Sequence, residues 1–163
     1  MTVAADAIRQ AMSPSPVTVM TTIDRTGRRW GFTGSALFSL SVRPPLVMVA
    51  VDKAASTHSA FVTSKRFMVN VLSHHQDDVA GRFAQSNVDR FCAGDMTPCE
   101  HGLPGLEDAA ARLSCTTHAV RDGGDHSMVV GVVDSAHMGS GEPPLLHHDP
   151  RFGDLNPRMA TTR

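Results

Sequence analysis

The feature that most limits the possible folds is a run of small and hydroxyl-bearing residues over positions 31–45, which ends at Pro44 and Pro45. An apolar stretch, residues 46–51, follows directly. Proline lacks the backbone N–H that a strand ladder needs, so the two prolines separate the run from the apolar stretch. Small residues also let a flat polar ligand lie close to the backbone. The run therefore favours a ligand-contacting segment over an ordinary core element.

Short strand patterns separated by turn residues predict a mainly β domain. The sequence Asp24-Arg25-Thr26-Gly27 predicts a hairpin turn, and a second turn is predicted with its tip at Gly123-Gly124. The stretch 46–51 is apolar on both faces, which predicts a strand paired on both sides. Strands are predicted at 16–23, 28–32, 46–51, 67–72, 109–120 and 126–138. Many short strands with turns between them favour a closed or nearly closed antiparallel barrel.

Helical spacing of apolar residues is confined to short segments. Residues 3–12 predict a leading helix that ends before Pro14, and residues 76–84 predict another. A third short helix is predicted over 57–64, with Thr57 as its N-cap. Residues 85–105 are polar and rich in glycine and proline, so we expect a long loop there. The tail from residue 139 is expected to wrap the surface.

Composition excludes several classes of protein. The 163-residue chain has a formal net charge of -1, which gives no basic face for nucleic acid. No apolar run approaches the roughly 20 residues that cross a bilayer, and the N-terminus lacks a secretion signal. Three cysteines without a C-x-x-C pair predict reduced thiols. We therefore expect one domain over residues 1–163, located in the cytoplasm, with no nucleic acid or membrane partner.

Common catalytic and metal-binding motifs are missing. The chain has no G-x-G-x-x-G loop, no phosphate loop ending in Gly-Lys-Ser/Thr and no G-x-S-x-G elbow. Nine histidines include the adjacent pairs His74-His75 and His147-His148. Adjacent side chains point apart on a strand and do not share a helix face, so no metal site is expected from either pair.

Three further segments carry polar residues in places suited to a ligand. Residues 52–58 follow the apolar strand and open a helix, where backbone N–H groups can hold a phosphate. The sequence Ala80-Gly81-Arg82-Phe83-Ala84 offers an arginine for bidentate phosphate contact. The turn Gly124-Asp125-His126 places an imidazole at the start of the last long strand.

In this order and at these separations, the segments resemble the short-chain flavin reductase family. Matches to the family's Gly-x-Thr-x-Ser-Ser-x-x-Ser-x-Ser-x-x-Pro-Pro segment are Gly31, Thr33, Ser35, Ser39, Ser41, Pro44 and Pro45. Ala36 stands where a second serine is common, and His147 stands where the terminal segment usually has tyrosine. The resemblance covers about residues 8–153. It implies an FMN-binding split β-barrel of antiparallel, Greek-key topology, with a flexible tail at 154–163.

The resemblance also implies a site. His126 is expected beside the flavin and the nicotinamide, where it positions the reactants and stabilises charge. Arg151 and Phe152 are expected to border the nicotinamide pocket. The expected cofactor-binding residues are Thr33, Gly34, Ser35, Ala36, Ser39, Asp52, Lys53, Ser56, Thr57, Arg82, Phe83, His126, Arg151 and Phe152.

The implied activity is NAD(P)H:flavin oxidoreduction by a homodimer that reduces FMN or FAD with NADH or NADPH. The reduced flavin would pass to a separate flavin-dependent monooxygenase. A protein of this kind supplies placement and electrostatics, while the flavin ring supplies the redox chemistry. Two alternatives remain open from the residues alone: a flavin-binding module without catalysis, and a flavin-dependent oxidase on the same barrel.

Overall fold

A computed structural model describes residues 15–139 and 141–147. The helix predicted at 3–12 and the residues Arg151 and Phe152 lie outside the described residues. The strands are β1 (Ser15–Pro16), β2 (Thr18–Ile23), β3 (Arg29–Gly34), β4 (Leu37–Val42), β5 (Pro45–Asp52), β6 (Arg66–Val71), β7 (Thr97–Pro98), β8 (Pro104–Gly105), β9 (Ala111–Gly123), β10 (His126–Met138) and β11 (Leu146–His147). The helices are α1 (His58–Thr63), α2 (Asp77–Ala84) and a 3-10 turn at Glu100–Gly102.

The main sheet contains seven antiparallel strands in the order β3-β2-β6-β9-β10-β5-β4. Its two outer strands, β3 and β4, are consecutive in the chain and are joined by residues 35 and 36 alone. So short a connection brings the two edges of the sheet together, and the sheet curls into a split barrel. Strands β6 and β10 pair with β2 and β5 across long connections, as Greek-key topology requires. The predicted mainly β fold is confirmed.

Most of the predicted elements are present, with three corrections. Residues Leu37–Val42 of the 31–45 run form strand β4, which was not predicted. The expected side-chain cap on α1 is wrong, because the Thr57 hydroxyl makes no capping hydrogen bond. The tip of the β9–β10 hairpin is Gly124-Asp125, one residue beyond the predicted pair, since Gly123 is paired with His126. Gly124 has a φ of +79°, and glycine at the first position of a two-residue turn is typical of such hairpins. The apolar strand β5 is paired on both sides, as predicted.

Two apolar clusters lie on opposite faces of β2. Met20 packs with Phe61 of α1 in the first cluster, whereas Val19 packs with Phe83 of α2 in the second. Side chains of successive strand residues point to opposite faces, so β2 is buried on both. Burial of each phenylalanine stabilises the fold by about 2–3 kcal/mol. The two helices are thereby fixed against the barrel by one large side chain each.

Gly31 allows the close approach of α2 to β3. A Cβ atom at this position would lie 2.8 Å from a ring carbon of Phe83 and 3.0 Å from the Met20 carbonyl oxygen. Any larger residue would therefore push α2 away from the sheet. The glycine that opens the run at 31–45 thus sets the position of the helix beside it.

The loop between α2 and β9 is tied to the barrel by Arg112 of β9. The buried Arg112 guanidinium donates to both Glu100 carboxylate oxygens, at 3.3 and 3.1 Å, and to the Leu106 carbonyl at 2.8 Å. These bonds lower the pKa of Glu100 and raise that of Arg112.

No helix within the described ranges is long and apolar enough to cross a membrane.

Candidate active site

A cleft of about 560 Å³ opens where β3, β5, α2 and the β9–β10 hairpin meet. Binding sites for small molecules commonly occupy roughly 300–1,000 Å³. The lining combines residues 32–36 from the start of the 31–45 run, the loop between β5 and α1, and the residues that follow α2. The lining residues are Phe32, Thr33, Gly34, Ser35, Ala36, Ala50, Val51, Asp52, Ala54, Ala55, Ser56, Thr57, Phe83, Ala84, Ser86, Asn87, Arg90 and His126.

Nine of the residues predicted from the sequence lie together on this cleft. They come from four separate stretches of the chain, which the curled sheet brings to one place. The nine are Thr33, Gly34, Ser35, Ala36, Asp52, Ser56, Thr57, Phe83 and His126. Of the other predicted residues within the described ranges, Ser39, Lys53 and Arg82 are not part of the lining.

Each of these three side chains has a different environment. Ser39 is exposed on the edge strand β4. Lys53 forms an ion pair with Asp122 of the hairpin turn, which lowers the pKa of that carboxyl. Arg82 donates to the Asp95 carboxylate at 2.5 Å and to the Arg90 carbonyl at 2.9 Å. Its guanidinium therefore holds the loop after α2 and is already matched by a carboxylate.

Arg90 lines the cleft and was missed by the sequence analysis. Its guanidinium donates to the Gly31 carbonyl at 2.7 Å and to the Gln85 carbonyl at 2.9 and 2.6 Å. No carboxylate in the described part of the chain forms an ion pair with it. Partial burial lowers its pKa, because the charged form loses hydration. A cation held by carbonyl groups at the cleft wall favours an anionic ligand there.

Thr57 adds a buried hydroxyl to the same cleft. The residue is 1% exposed, and its Oγ1 has no hydrogen-bond partner among the described residues. A buried hydroxyl without a partner costs about 1–3 kcal/mol, so such groups are rare and need an explanation. Two other unpartnered atoms, on Asp95 and Ser114, belong to residues that do not line the cleft. A ligand that hydrogen-bonds to Thr57 would remove the cost.

His126 is oriented by its neighbour in the turn. Its Nδ1 lies 2.7 Å from the Asp125 carboxylate, and since a carboxylate only accepts, Nδ1–H donates. The Asp125 carbonyl accepts from the backbone N–H of Lys53 at 2.9 Å, which fixes the turn to the end of β5. The Nε2 atom of His126 is left to contact a ligand.

A second groove of about 610 Å³ continues from the cleft. The two cavities share Ser56, Asn87 and Arg90. Asn87 has a φ of +60°, an uncommon conformation that often marks functional loops. The second groove adds the guanidinium groups of Arg28 and Arg29. The cleft and groove together can hold an elongated ligand with more than one anionic group.

Comparison with known proteins decides the family. The family model described as "Flavin reductase like domain" matches residues 10–156. The chain belongs to this flavin reductase family. The match includes every cleft residue and extends over most of the 163 positions.

Similar proteins include proteins named as flavin reductases or reductase subunits. This flavin reductase is 38% identical over 170 residues to NADH:riboflavin 5'-phosphate oxidoreductase of Streptomyces pristinaespiralis, covering 96% of this chain and 97% of that one. It is 36% identical to HsaB of Mycobacterium tuberculosis, the reductase subunit of a flavin-dependent monooxygenase, covering 89% and 78% of the two chains. The structure of Streptomyces globisporus NADH:FAD oxidoreductase SgcE6 with NAD and FAD fragments superposes with a TM-score of 0.84. That structure is 30% identical and covers 98% of this chain and 99% of its own.

The adjacent histidines His74 and His75 do not have the side-chain geometry expected from the sequence. The assumption that adjacent histidines point apart is wrong here, because both residues lie in a turn before α2 rather than on a strand or helix. Their ring centroids are 5.2 Å apart. The pair lies outside the cleft lining.

Proposed function

We propose that the protein is an NAD(P)H:flavin oxidoreductase that reduces FMN or FAD in the cleft and releases the reduced flavin to a separate monooxygenase. The observation that carries this proposal is the pairing, in one cleft, of an arginine without a carboxylate partner and a buried threonine hydroxyl without a hydrogen bond. Both groups match the needs of a phosphate ester. The names of the relatives support the same class of reaction.

The flavin phosphate is assigned to Arg90, Ser56 and Thr57. A phosphate accepts several hydrogen bonds, and its charge would be matched by the Arg90 guanidinium. Thr57 Oγ1 would gain a partner in the complex. The second groove, with Arg28 and Arg29, gives the remainder of FAD a place beyond the shared residues. The proposal therefore includes both flavins.

The flavin ring is assigned to the backbone of residues 33–36 and to Phe32 and Phe83. Gly34 lies on the cleft wall, where a Cβ atom would come within 3.2 Å of the Phe32 ring. The small residues Gly34, Ser35 and Ala36 leave the adjacent backbone amides accessible to a planar ligand. A bound flavin supplies the redox chemistry, in which it accepts a hydride from the nicotinamide.

His126 is assigned a positioning and electrostatic role beside the reactants. Asp125 fixes the Nδ1–H tautomer, so Nε2 is the atom available to the ligand. Hydride transfer itself requires no proton from this residue. Preorganised polar groups stabilise charge that develops during a reaction without reorganising at that moment.

A second copy of this chain is proposed to cover strand β4. Phe38, Leu40 and Val42 on this edge strand are 43%, 53% and 80% exposed. An exposed apolar edge strand is a liability for a monomer and is commonly covered. In light scattering, the wild type should have the mass of a dimer and Leu40→Asp that of a monomer. An unchanged mass in Leu40→Asp would contradict the assigned interface.

We also place the protein in the cytoplasm, where its thiols stay reduced and NAD(P)H is available.

A steady-state assay tests the enzymatic proposal. NADH and NADPH are each combined with FMN and FAD, and the loss of nicotinamide absorbance is followed. We expect oxidation only when free flavin is added, in at least one combination. A protein that binds flavin yet oxidises neither nucleotide under these conditions would be a binding module, and the proposed activity would be rejected.

A further inference from the structure

Three potential metal ligands lie together on the surface outside the cleft. His74, His75 and Glu142 each contribute one ligand atom, and these atoms all lie within 4.8 Å of one another. His74 Nδ1 is 3.3 Å from Glu142 Oε2. The three residues come from two segments that are distant in sequence, the turn before α2 and the stretch that leads to β11. Two imidazoles and a carboxylate form a donor set that suits zinc and related divalent metals.

One of the three distances between ligand atoms already agrees with tetrahedral coordination, and the other two are no longer than 4.8 Å. Metal–ligand bonds of about 2.0–2.1 Å place neighbouring ligand atoms about 3.3–3.5 Å apart in a tetrahedral complex. The contact between His74 and Glu142 already has this length. His75 is about half exposed, so its ring can rotate toward the other two ligands without a backbone shift.

Backbone hydrogen bonds hold the two ligand-bearing segments together. The N–H of His74 donates to the Pro143 carbonyl at 2.9 Å, which joins the residue after Glu142 to the turn. Ser73 forms a β-bridge with Pro144, and the Leu145 N–H donates to the Leu72 carbonyl at 2.7 Å. The backbones of the ligands are therefore placed before any metal binds. Such preorganisation lowers the entropy lost on binding.

A buried glutamine brings a second carboxylate to the cluster. Gln76 is 4% exposed; it accepts from the Ser73 N–H at 2.8 Å and donates to Asp108 Oδ1 at 2.9 Å. The other carboxylate oxygen, Asp108 Oδ2, lies 3.9 Å from His75 Nε2. Carboxylates beside metal-ligating histidines commonly orient the ring and raise its basicity. Asp108 is thus fixed where it can support His75.

We propose that His74, His75 and Glu142 bind a divalent transition metal ion of the zinc class, with Asp108 beside His75. The ion would link the segment at 141–147 to the turn that precedes α2. Because these ligands lie outside the cleft lining, the proposed role of the ion is to hold these two segments together. The inference does not depend on the proposed enzymatic function.

Metal titration of the untagged full chain tests the proposal. After treatment with a chelator, the protein is titrated with ZnCl₂ by calorimetry, and with CoCl₂ while visible absorption is recorded. We expect one equivalent of metal, cobalt absorption bands typical of nitrogen and oxygen ligands, and a higher melting temperature with zinc. His74→Ala and Glu142→Gln should each weaken zinc binding at least tenfold.

The matched control is His118→Ala, because His118 is an exposed histidine on β9 away from the cluster. This variant should bind zinc like the wild type. Absence of stoichiometric binding to the wild type would overturn the proposal. Binding that is unchanged in both His74→Ala and Glu142→Gln would also overturn it, since the metal would then lie elsewhere. Flavin reduction measured in the same variants reports separately on the cleft.

Discussion

Arg90 Nη1 donates to the carbonyl oxygen of Gly31 at 2.7 Å. This bond connects the loop after α2 to the glycine against which Phe83 of α2 packs. The arginine is thereby held at the junction of the cleft and the second groove, with its charge unmatched by any carboxylate of the described chain. The same local packing that requires glycine at position 31 thus also positions the cation assigned to the phosphate.

Replacing Arg90 should reduce selectivity for the phosphorylated flavin. We expect Arg90→Gln to lower the ratio of FMN affinity to riboflavin affinity about tenfold or more, since hydrogen bonds to charged groups contribute about 1.5–3 kcal/mol. Both affinities are measured by fluorescence titration. Arg66→Gln is the control, because Arg66 is an exposed arginine on β6 outside the cleft and the second groove. That control should keep the wild-type ratio, and an unchanged ratio in Arg90→Gln would contradict the assignment of the phosphate to this residue.

Because the Thr57 hydroxyl has no hydrogen-bond partner, its removal should weaken FMN binding without lowering the free energy of unfolding. Thr57→Val removes no hydrogen bond from the free protein, so its free energy of unfolding should be unchanged or slightly higher. FMN affinity should fall about three- to tenfold. Thr21→Val is the matched control, because buried Thr21 donates to the Pro104 carbonyl at 2.5 Å. It should be destabilised by about 1 kcal/mol and bind FMN normally. Wild-type FMN affinity in Thr57→Val would refute the assigned contact.

His126 should affect turnover more than folding. Its side chain is 41% exposed, so His126→Ala should change the free energy of unfolding by no more than about 0.5 kcal/mol. We expect kcat/KM for the nicotinamide substrate to fall at least about tenfold, which corresponds to about 1.4 kcal/mol. His118→Ala on β9 provides a control for loss of an exposed imidazole. An unchanged rate in His126→Ala would remove this residue from the site.

The ion pair between Glu100 and Arg112 predicts acid sensitivity. The fold lowers the pKa of Glu100 below its usual 4.5, so the unfolded chain binds a proton more readily. The resulting stabilisation is complete above pH 4.5 and is lost as the pH falls through the lowered value. Glu100→Gln should be about 1–3 kcal/mol less stable at neutral pH and should lose less on acidification. Urea unfolding of the wild type and Glu100→Gln at neutral pH and below pH 4.5 measures the difference in stability. Parallel dependence of stability on pH in the two proteins would contradict the prediction.

The sequence predicted the strands well because their patterns are local. Alternation, turn residues and the apolar stretch before Asp52 reflect pairing and burial that each strand experiences along its whole length. The hairpin tip was misplaced by one residue because Gly123 and Gly124 are both compatible with a turn. Only the pairing of Gly123 with His126 distinguishes them.

The phosphate-binding candidates depended on contacts that no local pattern encodes. Arg82 and Arg90 are each followed by phenylalanine in the sequence, yet Asp95 neutralises only Arg82. Lys53 was predicted in the loop after β5, but Asp122 draws its side chain toward the hairpin turn. The tertiary structure determines which of these cations lacks a carboxylate partner. The same holds for Thr57, whose sequence position suggests a helix cap while its hydroxyl has no partner.

The most direct measurement of the central claim is a fluorescence titration of FMN with a variant that fills the cleft. Ala54 is exposed on the cleft wall, so Ala54→Phe should fold normally and occupy ligand space. Ala93→Phe places the same ring on the exposed loop after α2, outside the lining. We predict that the wild type and Ala93→Phe quench FMN fluorescence to saturation at one flavin per chain, and that Ala54→Phe binds at least about tenfold more weakly. Equal binding by all three proteins, or no binding by the wild type, would contradict the assignment of this cleft to flavin.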